Sequence, residues 1–347
     1  MINNKIVVGF SGGVDSLVSS YLLKEKGYDV IACTFVLNEE QNNKAFIEHA
    51  KNIASRLGID HEVVDLRSKF SQTVLSYFKD GYLKGETPNP CVFCNTNLKW
   101  PELFAFANRL GAEKVSMGHY AQTIDLDGNY FVKKGVDPEK EQSFFLWGLS
   151  SQQIARIKFP LGNMEKSNVK QIASEIGFDD VVQRKESTGA CFTKKDYRIA
   201  LRKLMSEKEN PGFGNFISEE GEVIGRHEGY PFYTVSQRKG LGLNLPERVF
   251  INKILPKTNQ ILLSGPEKLW RKEFYLKDYH IVNEQILLHN EVEVKVRYRK
   301  QFVKGRVTLK NDLLKVELVE NEWAIAPGQA VAFYYNNLLM GGGYVML

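Results

Sequence analysis

The segment Gly9–Ser16, which reads GFSGGVDS, has the residue types and the setting of a phosphate-binding loop. It directly follows the apolar run Ile6–Val8, and a helical pattern begins at Leu17. The sequence therefore predicts a strand that runs through a glycine-rich turn into the N-terminus of a helix. Unpaired backbone N–H groups and the helix dipole attract anions at such a terminus.

The small and polar residues of this loop suit the neighbourhood of a phosphate. Gly12 and Gly13 let the backbone approach an anion because they have no Cβ. Ser11 and Ser16 add hydroxyl donors. Asp15 would repel phosphates unless a divalent metal lies between them, so the loop predicts Mg²⁺ together with a nucleotide.

The loop contains neither GxxxxGK[ST] nor GxGxxG. Its SGGxDS form resembles the pyrophosphatase loop of ATP-dependent adenylating enzymes, which split ATP into AMP and pyrophosphate. The alternative is a glycine turn that only connects strand to helix, and the strand–turn–helix setting argues against it. The resemblance implies Mg²⁺ at Asp15 and ATP at the loop residues Gly9, Phe10, Ser11, Gly12, Gly13, Val14, Asp15 and Ser16.

A CxxC motif is formed by Cys91 and Cys94 within TPNPCVFCN. Pro88 and Pro90 predict that this segment is a rigid loop and not the interior of a helix. A helical run starts at Asn95, so Cys94 is expected close to a helix N-terminus, which favours the thiolate form.

The other two cysteines differ in setting. Cys33 falls inside a predicted strand and is predicted to be a buried small hydrophobe. Cys191, in STGACF, lies in a glycine-containing loop where a thiolate would be favoured by the charges of Lys185, Lys194 and Lys195. Cys94 and Cys191 could be two unrelated loop thiols, three of the cysteines could bind zinc, or Cys91 and Cys94 could form a redox CxxC of the thioredoxin kind. The upstream nucleotide loop favours sulfur chemistry on an adenylated substrate.

The composition is ordinary for a globular protein, with 43% hydrophobic and 25% charged residues among 347. This length allows two or three domains. No apolar stretch reaches membrane-spanning length and no signal pattern opens the chain, so we expect a cytoplasmic protein without a membrane partner. The net charge of +5 permits nucleic-acid binding without requiring it, and four cysteines are too few for a disulfide framework.

The first 200 residues alternate strands and helices, which favours an α/β parallel sheet with helices on both faces. The predicted strands are Ile6–Gly9, Asp29–Phe35, His61–Asp65 and Lys114–Gly118. The predicted helices are Leu17–Lys26, Asn43–Leu57, Phe70–Lys84 and Leu98–Leu110. Helix C-caps are expected at Gly27, Gly58 and Gly111. Such sheets bind ligands at the carboxyl ends of their strands, where the glycine-rich loop lies.

Beyond Pro211–Gly214 the helical pattern gives way to short strands with turns at Glu220-Gly221 and Glu228-Gly229. From Glu273 onward, alternation predicts an antiparallel barrel or sandwich with strands Val292–Arg299, Arg306–Leu309, Leu314–Val319 and Ala330–Tyr335. Hairpin turns are expected at Asn311-Asp312 and Asn336-Asn337. These changes predict domains at residues 1–200, 201–273 and 274–347.

Seven motifs occur in the order seen in tRNA-specific 2-thiouridylases: GFSGGVDS, TPNPCVFCN, GHYA, KEQS, STGACF, SQRKGLG and a terminal GGG. The resemblance spans essentially the whole chain. It implies a pyrophosphatase-loop domain, a small central adaptor domain and a C-terminal antiparallel β-barrel. That family uses ATP and a persulfide donor to place sulfur on C2 of the wobble uridine. The implied partners are therefore a tRNA anticodon stem-loop and a sulfur-donor protein.

The resemblance also implies roles for single residues. Phe35 and Gly118 match nucleotide contacts. Adenylation of the uracil C2 oxygen turns a poor leaving group into AMP. Cys191 would then carry a persulfide that Cys94 attacks, which releases hydrosulfide or leaves a disulfide between the two residues.

The chain departs from the family at Cys91, where many members have an aspartate that is usually proposed as an acid or base near the target base. A thiol cannot replace that carboxylate at neutral pH unless its pKa is lowered. Either the carboxylate is dispensable or Cys91 has another role. One such role is as third thiolate with Cys94 and Cys191 in an iron–sulfur cluster that has one open iron.

The stretch from Lys295 to Lys310 contains seven basic residues and no acid. Strand alternation would place Lys295, Arg297 and Arg299 on one face that contacts RNA phosphates, although a solvated strand face is the alternative. The resemblance implies tRNA contacts at Asn89, Pro90, Cys91, His119, Lys140, Glu141, Gln142, Arg297, Tyr298 and Gln329. The target base would have to leave the anticodon stack, as in base flipping.

Two other functions compete with tRNA thiolation. An adenylating ligase would use the same loop without needing Cys94 or Cys191. A tRNA-binding protein that has lost catalysis would be expected to carry a damaged nucleotide loop, whereas SGGVDS is intact.

Overall fold

The computed structural model describes residues 4–39, 41, 44–184, 189–193, 196–244 and 248–347. Several residues used in the sequence-based expectations lie outside these ranges: Asn43, Lys185, Ser187, Thr188, Lys194 and Lys195. The chain forms two compact units. The first unit comprises residues 1–74, 91–188 and 336–340, and the second comprises residues 75–90, 189–335 and 341–347.

The helices are α1 (Val14–Glu25), α2 (Lys44–Leu57), α3 (Arg67–Phe70), α4 (Ser76–Leu83), α5 (Pro90–Cys94), α6 (Trp100–Arg109), α7 (Ser151–Ile154), α8 (Lys166–Glu175), α9 (Asp179–Val182), α10 (Tyr197–Leu204) and α11 (Glu284–His289). Single π turns, Ser71–Leu75 and Asn95–Lys99, join α3 to α4 and α5 to α6. Within the described ranges, no helix has the length and apolarity needed to cross a membrane.

The strands of the first unit are β1 (Lys5–Gly9), β2 (Asp29–Val36), β3 (Asp60–Asp65), β4 (Lys114–Met117), β5 (Ala121–Leu126), β6 (Asn129–Lys134) and β7 (Ile157–Lys158). The strands that follow are β8 (Gly214–Ile217), β9 (Val223–His227), β10 (Phe250–Leu255), β11 (Gln260–Ser264), β12 (Trp270–Ile281), β13 (Val292–Lys295), β14 (Val303–Lys310), β15 (Leu313–Trp323), β16 (Ala330–Tyr335) and β17 (Leu338–Met346).

A parallel sheet of order β3-β2-β1-β4-β7 forms the centre of the first unit. Successive strand residues point to opposite faces, and Ile6, Val7 and Val8 are all fully buried, so both faces of β1 are covered. The predicted α/β fold is confirmed. The strand order reverses beside β1, which is where open α/β sheets bind ligands.

Glycine residues mark the C-terminal ends of three helices in this unit. The expected C-caps at Gly27, Gly58 and Gly111 have φ values of 82°, 60° and 66°, a left-handed conformation that favours glycine. The expectation that CxxC lies in a loop was wrong, because Pro90–Cys94 is helical. Proline is compatible with the first position of a helix, since that N–H has no partner within the helix.

The second unit contains a small four-stranded sheet of order β10-β11-β8-β9 and a β-barrel. The small sheet shares one buried cluster with α4 and α10, which includes Phe78, Leu201 and Phe216. The barrel strands pair antiparallel in the order β12-β15-β14-β13-β16-β17, and pairing of β12 with β17 closes them. The predicted C-terminal antiparallel barrel is therefore confirmed.

The two predicted hairpin turns of the barrel are confirmed, because Asn311, Asp312, Asn336 and Asn337 all have positive φ, as type I′ turns require. The predicted strand 292–299 is too long, since β13 ends at Lys295 and the chain then turns. Lys295, Arg297 and Arg299 consequently do not share a strand face.

Replacing Leu17 with alanine should lower the free energy of unfolding by about 2–5 kcal/mol. Leu17 is fully buried in the cluster between α1, α2 and α8, so truncation leaves a cavity. Urea unfolding followed by tryptophan fluorescence measures the change. The matched control is Leu126→Ala in the same unit, where the side chain is 42% exposed and a change within about 0.5 kcal/mol is expected. Equal losses in the two variants would contradict the described core.

Candidate active site

The loop Ser11–Ser16 is shaped by its own hydroxyls. The Ser11 Oγ accepts from the Gly13 N–H at 3.3 Å, and the Ser16 Oγ donates to the Gly13 carbonyl at 3.0 Å. Gly12 has a φ of 70°, so the chain turns there, and helix α1 begins at Val14 directly after this turn. The sequence thus places the open N-terminus of a twelve-residue helix at the end of β1.

Neighbouring elements fix this loop from two sides. The His49 Nε2 lies 3.1 Å from the Gly12 carbonyl, and the Thr34 hydroxyl donates to the Phe10 carbonyl at 2.7 Å. A Cβ at Gly118 would lie 3.0 Å from the carbonyl carbon and Cβ of Asp15. Only glycine fits there without displacing the loop.

A cavity of about 420 Å³ lies at the carboxyl ends of β1, β2 and β4. Seven of the predicted nucleotide residues line it: Gly9, Phe10, Ser11, Asp15, Ser16, Phe35 and Gly118. Gly12, Gly13 and Val14 are not in the lining. The rest of the wall consists of Cys33, Leu37, Gln41, Phe46, Lys99, Met117, His119 and Gln142.

The Asp15 carboxylate is held by two side chains that the sequence did not identify as site residues. Its Oδ1 accepts from the Lys166 ammonium at 2.6 Å and from the Tyr120 hydroxyl at 2.7 Å. The Lys166 side chain is only 10% exposed, whereas the Asp15 side chain is 35% exposed toward the cavity. A carboxylate on the wall of a cavity beside a phosphate-binding loop suits Mg²⁺, and Asp15 would hold the ion with the oxygen that Lys166 and Tyr120 leave available.

The same two residues also tie the loop to the segment 137–142. The Lys166 N–H donates to the Asp137 Oδ2 at 2.8 Å. The Tyr120 N–H donates to the Gln142 Oε1 at 3.2 Å, and the Gln142 N–H donates to the Tyr120 carbonyl at 3.0 Å. Of the predicted tRNA contacts in this segment, Gln142 reaches the cavity wall, whereas Glu141 is buried and accepts from the Ser143 N–H.

His119, another predicted tRNA contact, lies on the same cavity wall. Its ring stacks on Trp100 with centroids 5.7 Å apart and meets the edge of Phe159. Its Nδ1 is buried and has no hydrogen-bond partner among the described residues. Burial, helped by the nearby Lys99 cation, lowers the pKa of His119 to about 3, so the imidazole is neutral at physiological pH.

The four cysteines have different environments, and none forms a disulfide. Burial raises the pKa of Cys33 to about 12, which confirms the prediction of a buried and inert thiol. Cys91 is partly exposed in the first turn of α5, and Cys94 is buried one turn later. Cys191, in the second unit, is exposed.

The cluster hypothesis concerns Cys91 and Cys94 of the first unit and Cys191 of the second. Across the ranges that the structure describes, no group of three cysteine, histidine, aspartate or glutamate side chains is placed to hold a metal ion. We assign no chemical step to a cluster.

In the second unit, Arg297 is half-buried and donates to the carbonyls of Trp323 and Ala324. Burial lowers its pKa, although a guanidinium stays charged at any physiological pH. These bonds fix the start of the loop that contains Gln329. In the same loop, the Pro327 carbonyl accepts a hydrogen bond from the Thr87 N–H at 2.7 Å. Two predicted tRNA-contact segments, around Asn89 and Gln329, are thereby brought together.

Family models match three consecutive parts of the chain. Residues 4–195 match the tRNA methyl transferase HUP domain, residues 202–265 the tRNA methyl transferase PRC-barrel domain, and residues 271–345 the aminomethyltransferase beta-barrel domain. A tRNA-specific 2-thiouridylase of Phocaeicola vulgatus is 42% identical over 346 residues, which cover 99% of this chain and 98% of that protein. A tRNA-specific 2-thiouridylase of Cytophaga hutchinsonii is 37% identical over 361 residues, which cover 98% of this chain and 97% of that protein.

This chain belongs to the tRNA-specific 2-thiouridylase family. A solved 4-thiouridine synthetase–RNA complex with bound ATP aligns more weakly, with a TM-score of 0.39 and 18% identity over 60% of this chain and 50% of that one. Membership of the thiouridylase family rests on the relatives that match along their full length.

Replacing Lys166 with methionine should lower ATP affinity about 10-fold or more, since a hydrogen bond to a charged group contributes about 1.5–3 kcal/mol. Without the ammonium, the Tyr120 hydroxyl alone holds the Asp15 carboxylate, so the negative charge beside the phosphates is less well balanced. Calorimetric titration with Mg²⁺ and ATP measures the loss. The control is Lys170→Met, one turn further along α8, where no change is expected. Unchanged affinity of Lys166→Met would refute the role given to this ion pair.

The His119 imidazole should not titrate between pH 5 and 8 in histidine-labelled protein observed by NMR, because its pKa lies near 3. In the unfolded chain the same group accepts a proton below about pH 6.5. Its contribution to stability is therefore lost as pH falls below that value. The loss of unfolding free energy from pH 7.5 to 5.0 should be smaller in His119→Gln than in wild type. A normal titration midpoint for His119 would contradict the lowered pKa.

Proposed function

We propose that this chain is a tRNA uridine 2-sulfurtransferase that uses ATP and Mg²⁺ to activate the wobble uridine and replaces its C2 oxygen with sulfur. The observation that carries this proposal is one cavity in the first unit. Its wall combines the pyrophosphatase-type loop with Lys99, five residues after Cys94 on the CxxC helix. A nucleotide loop beside a cysteine-bearing helix suits adenylation followed by sulfur attack, and the family membership specifies tRNA as the substrate.

In the first step, the uridine C2 oxygen attacks the α-phosphorus of ATP. A bond between that oxygen and the α-phosphorus forms, the bond to the β-phosphate bridging oxygen breaks, and pyrophosphate leaves. The open N-terminus of α1 would bind the departing pyrophosphate through backbone N–H groups. Mg²⁺, held by Asp15, would supply charge neutralisation for the phosphates when it is bound.

In the second step, sulfur replaces the activated oxygen. A sulfur-donor protein would leave a persulfide on Cys191, whose exposure suits a protein-to-protein transfer. The Cys94 thiolate attacks the Cys191 sulfur, so a Cys94–Cys191 disulfide forms and hydrosulfide is released. Hydrosulfide attacks C2, the carbon–oxygen bond breaks, and AMP leaves with the oxygen. A dithiol reductant then restores both thiols.

The buried position of Cys94 has a chemical advantage in this scheme. Hydrosulfide released in a shielded site is kept from diffusing into water before it meets the adenylated base. Asn89, Pro90, Lys140, Gln142, Tyr298 and Gln329 would serve as tRNA contacts, and the protein would act in the cytoplasm.

Cys94→Ser should lower tRNA thiolation by at least about 100-fold while pyrophosphate release and tRNA affinity change little, because only sulfur transfer needs the thiol. Thiolation is measured on unmodified tRNA with a persulfide donor, and pyrophosphate release on the same samples. A variant that keeps full product formation would indicate an adenylating ligase. A wild-type protein that binds tRNA but never consumes ATP would indicate a non-catalytic binder.

Iron content separates the two routes for sulfur. We expect protein purified without oxygen to thiolate tRNA when it contains no iron or acid-labile sulfide, and Cys91→Ser to remain active. Thiolation that tracks bound iron and disappears in Cys91→Ser would overturn the persulfide route in favour of a cluster with three cysteine ligands.

A further inference from the structure

A second cavity, of about 200 Å³, lies within the second unit and shares no lining residue with the nucleotide cavity. Its walls come from α4 and the segment after it, from β12, from the loop before β16 and from β17. Pockets for drug-sized ligands measure about 300–1,000 Å³. This cavity therefore suits a smaller group, of the size of a single ring system.

A β-bulge in β12 turns two successive residues toward this cavity. Consecutive strand residues normally point to opposite faces, yet Lys277 and Asp278 both line the cavity. The pairing of β12 with β17 shifts register between Lys277 and His280, and Asp278 has a φ of 47°. Bulges re-aim side chains, and residues held at such φ values occur preferentially at functional sites.

The glycine triplet near the C-terminus makes room for this bulge. A Cβ at Gly341 would overlap the His280 carbonyl oxygen, and a Cβ at Gly343 would lie 2.9 Å from the Tyr279 Cβ. Because both positions lack a side chain, β17 packs closely against the irregular part of β12. The terminal GGG motif thus contributes to the geometry of the second cavity.

Two tyrosines form what we call the floor of this cavity. The rings of Tyr77 and Tyr344 lie with their centroids 5.8 Å apart, and Tyr344 is buried. Burial raises the pKa of both hydroxyls, and the negative charge of Asp278 contributes to both shifts. The Asp278 carboxylate therefore lies close to the tyrosine floor.

The rim of the cavity consists of three exposed charged residues, Asp80, Lys84 and Asp278. Between the floor and the rim, the Lys277 ammonium donates to the Glu86 carboxylate, so these two wall charges balance each other. Among the residues that the structure describes, Asp278 has no hydrogen-bond or ion-pair partner. A rim with two carboxylates and one lysine disfavours a phosphate, whereas its oxygens accept hydrogen bonds from N–H groups.

The cavity lies beside two of the proposed tRNA contacts. The Tyr77 hydroxyl on its floor is hydrogen-bonded to the backbone of Asn89. Gln329 directly follows Gly328, which lines the wall. An anticodon loop that contacts Asn89 and Gln329 would therefore bring neighbouring nucleotides to the mouth of this cavity.

We propose that the second cavity binds one unstacked nucleobase of the anticodon loop, from a nucleotide beside the wobble uridine, and that Asp278 accepts a hydrogen bond from an N–H group on its edge. This inference rests on the proposed function, because it takes tRNA as the substrate. The base would stack on the tyrosine floor and present its edge to the rim, as proteins commonly read single-stranded RNA. Asp278 would thereby help to select the tRNA.

The test measures the affinity of the full-length protein for an anticodon stem-loop RNA with uridine at the wobble position, by fluorescence anisotropy. Glycine adopts a positive φ without strain, so Asp278→Gly keeps the bulge and removes the carboxylate. We expect this variant to bind about 10-fold more weakly, because a hydrogen bond to a charged acceptor is lost. The matched control is Glu320→Gln, which removes an exposed acid on β15.

The sign of the change separates base recognition from general electrostatics. Removing an acid reduces repulsion of RNA phosphates, so charge alone predicts equal or tighter binding, as we expect for Glu320→Gln. Affinity of Asp278→Gly equal to or higher than that of wild type would overturn the proposal.

Abasic nucleotides, placed one at a time beside the wobble uridine, identify the bound base. One such RNA should bind wild type about 10-fold more weakly and should bind Asp278→Gly no more weakly than wild type, because both changes remove the same contact. Losses that add for every abasic RNA would overturn the proposal. So would the absence of any abasic effect on wild type, an outcome that does not depend on a variant that folds. Failure of the proposed function would appear separately, as absence of pyrophosphate release by wild type with ATP and tRNA.

Discussion

The candidate site depends on the ion pair between Asp15 and Lys166. A carboxylate placed at the N-terminus of a helix is stabilised by the helix dipole, yet the same position must also accept phosphates. The nearly buried Lys166 ammonium resolves this conflict because it balances the charge of the carboxylate. The Tyr120 hydroxyl donates a hydrogen bond to the same carboxylate oxygen. Breaking such a pair is costly, since the remaining charge is left without a partner. The loop geometry, the cavity wall and the segment 137–142 all connect to this pair.

Much of the first unit could be predicted because its signals are local. A strand, a glycine-rich turn and an amphipathic helix each leave a pattern within a few residues, so β1, α1 and the glycine C-caps were predicted nearly where they occur. Lys166 and Lys99 could not be predicted in this way. Lys166 lies far from Asp15 in sequence, and its burial follows only from packing of α8 on α1. Lys99 lines the cavity at the end of a π turn, which has no sequence pattern that distinguishes it from regular helix.

The errors share a physical origin. Pro90 argues for a loop at CxxC, yet a proline at the first helical position costs no hydrogen bond, because the N–H there has no partner within the helix. In the barrel, alternating residues after Val292 fit a strand, but Arg297 bonds two carbonyls of the neighbouring chain segment and the backbone turns to allow it. Lys295, expected on an RNA-facing surface, is buried over the rings of Tyr298 and Phe302. Positive charge along a sequence therefore gave little information about which cations face solvent.

The π turn after Cys94 also constrains how this segment can change in evolution. Between Cys94 and Trp100, Asn95 and Leu98 are buried and Lys99 lines the cavity, so the core and the site constrain these side chains. A π turn contains one residue more than an α-helical turn, so loss of one residue would restore a regular turn, whereas gain of one residue would rotate every later position by about 100°. The lysine would leave the cavity, and Trp100 would leave the core at the same time. The length of this spacer therefore affects both the cavity wall and the core.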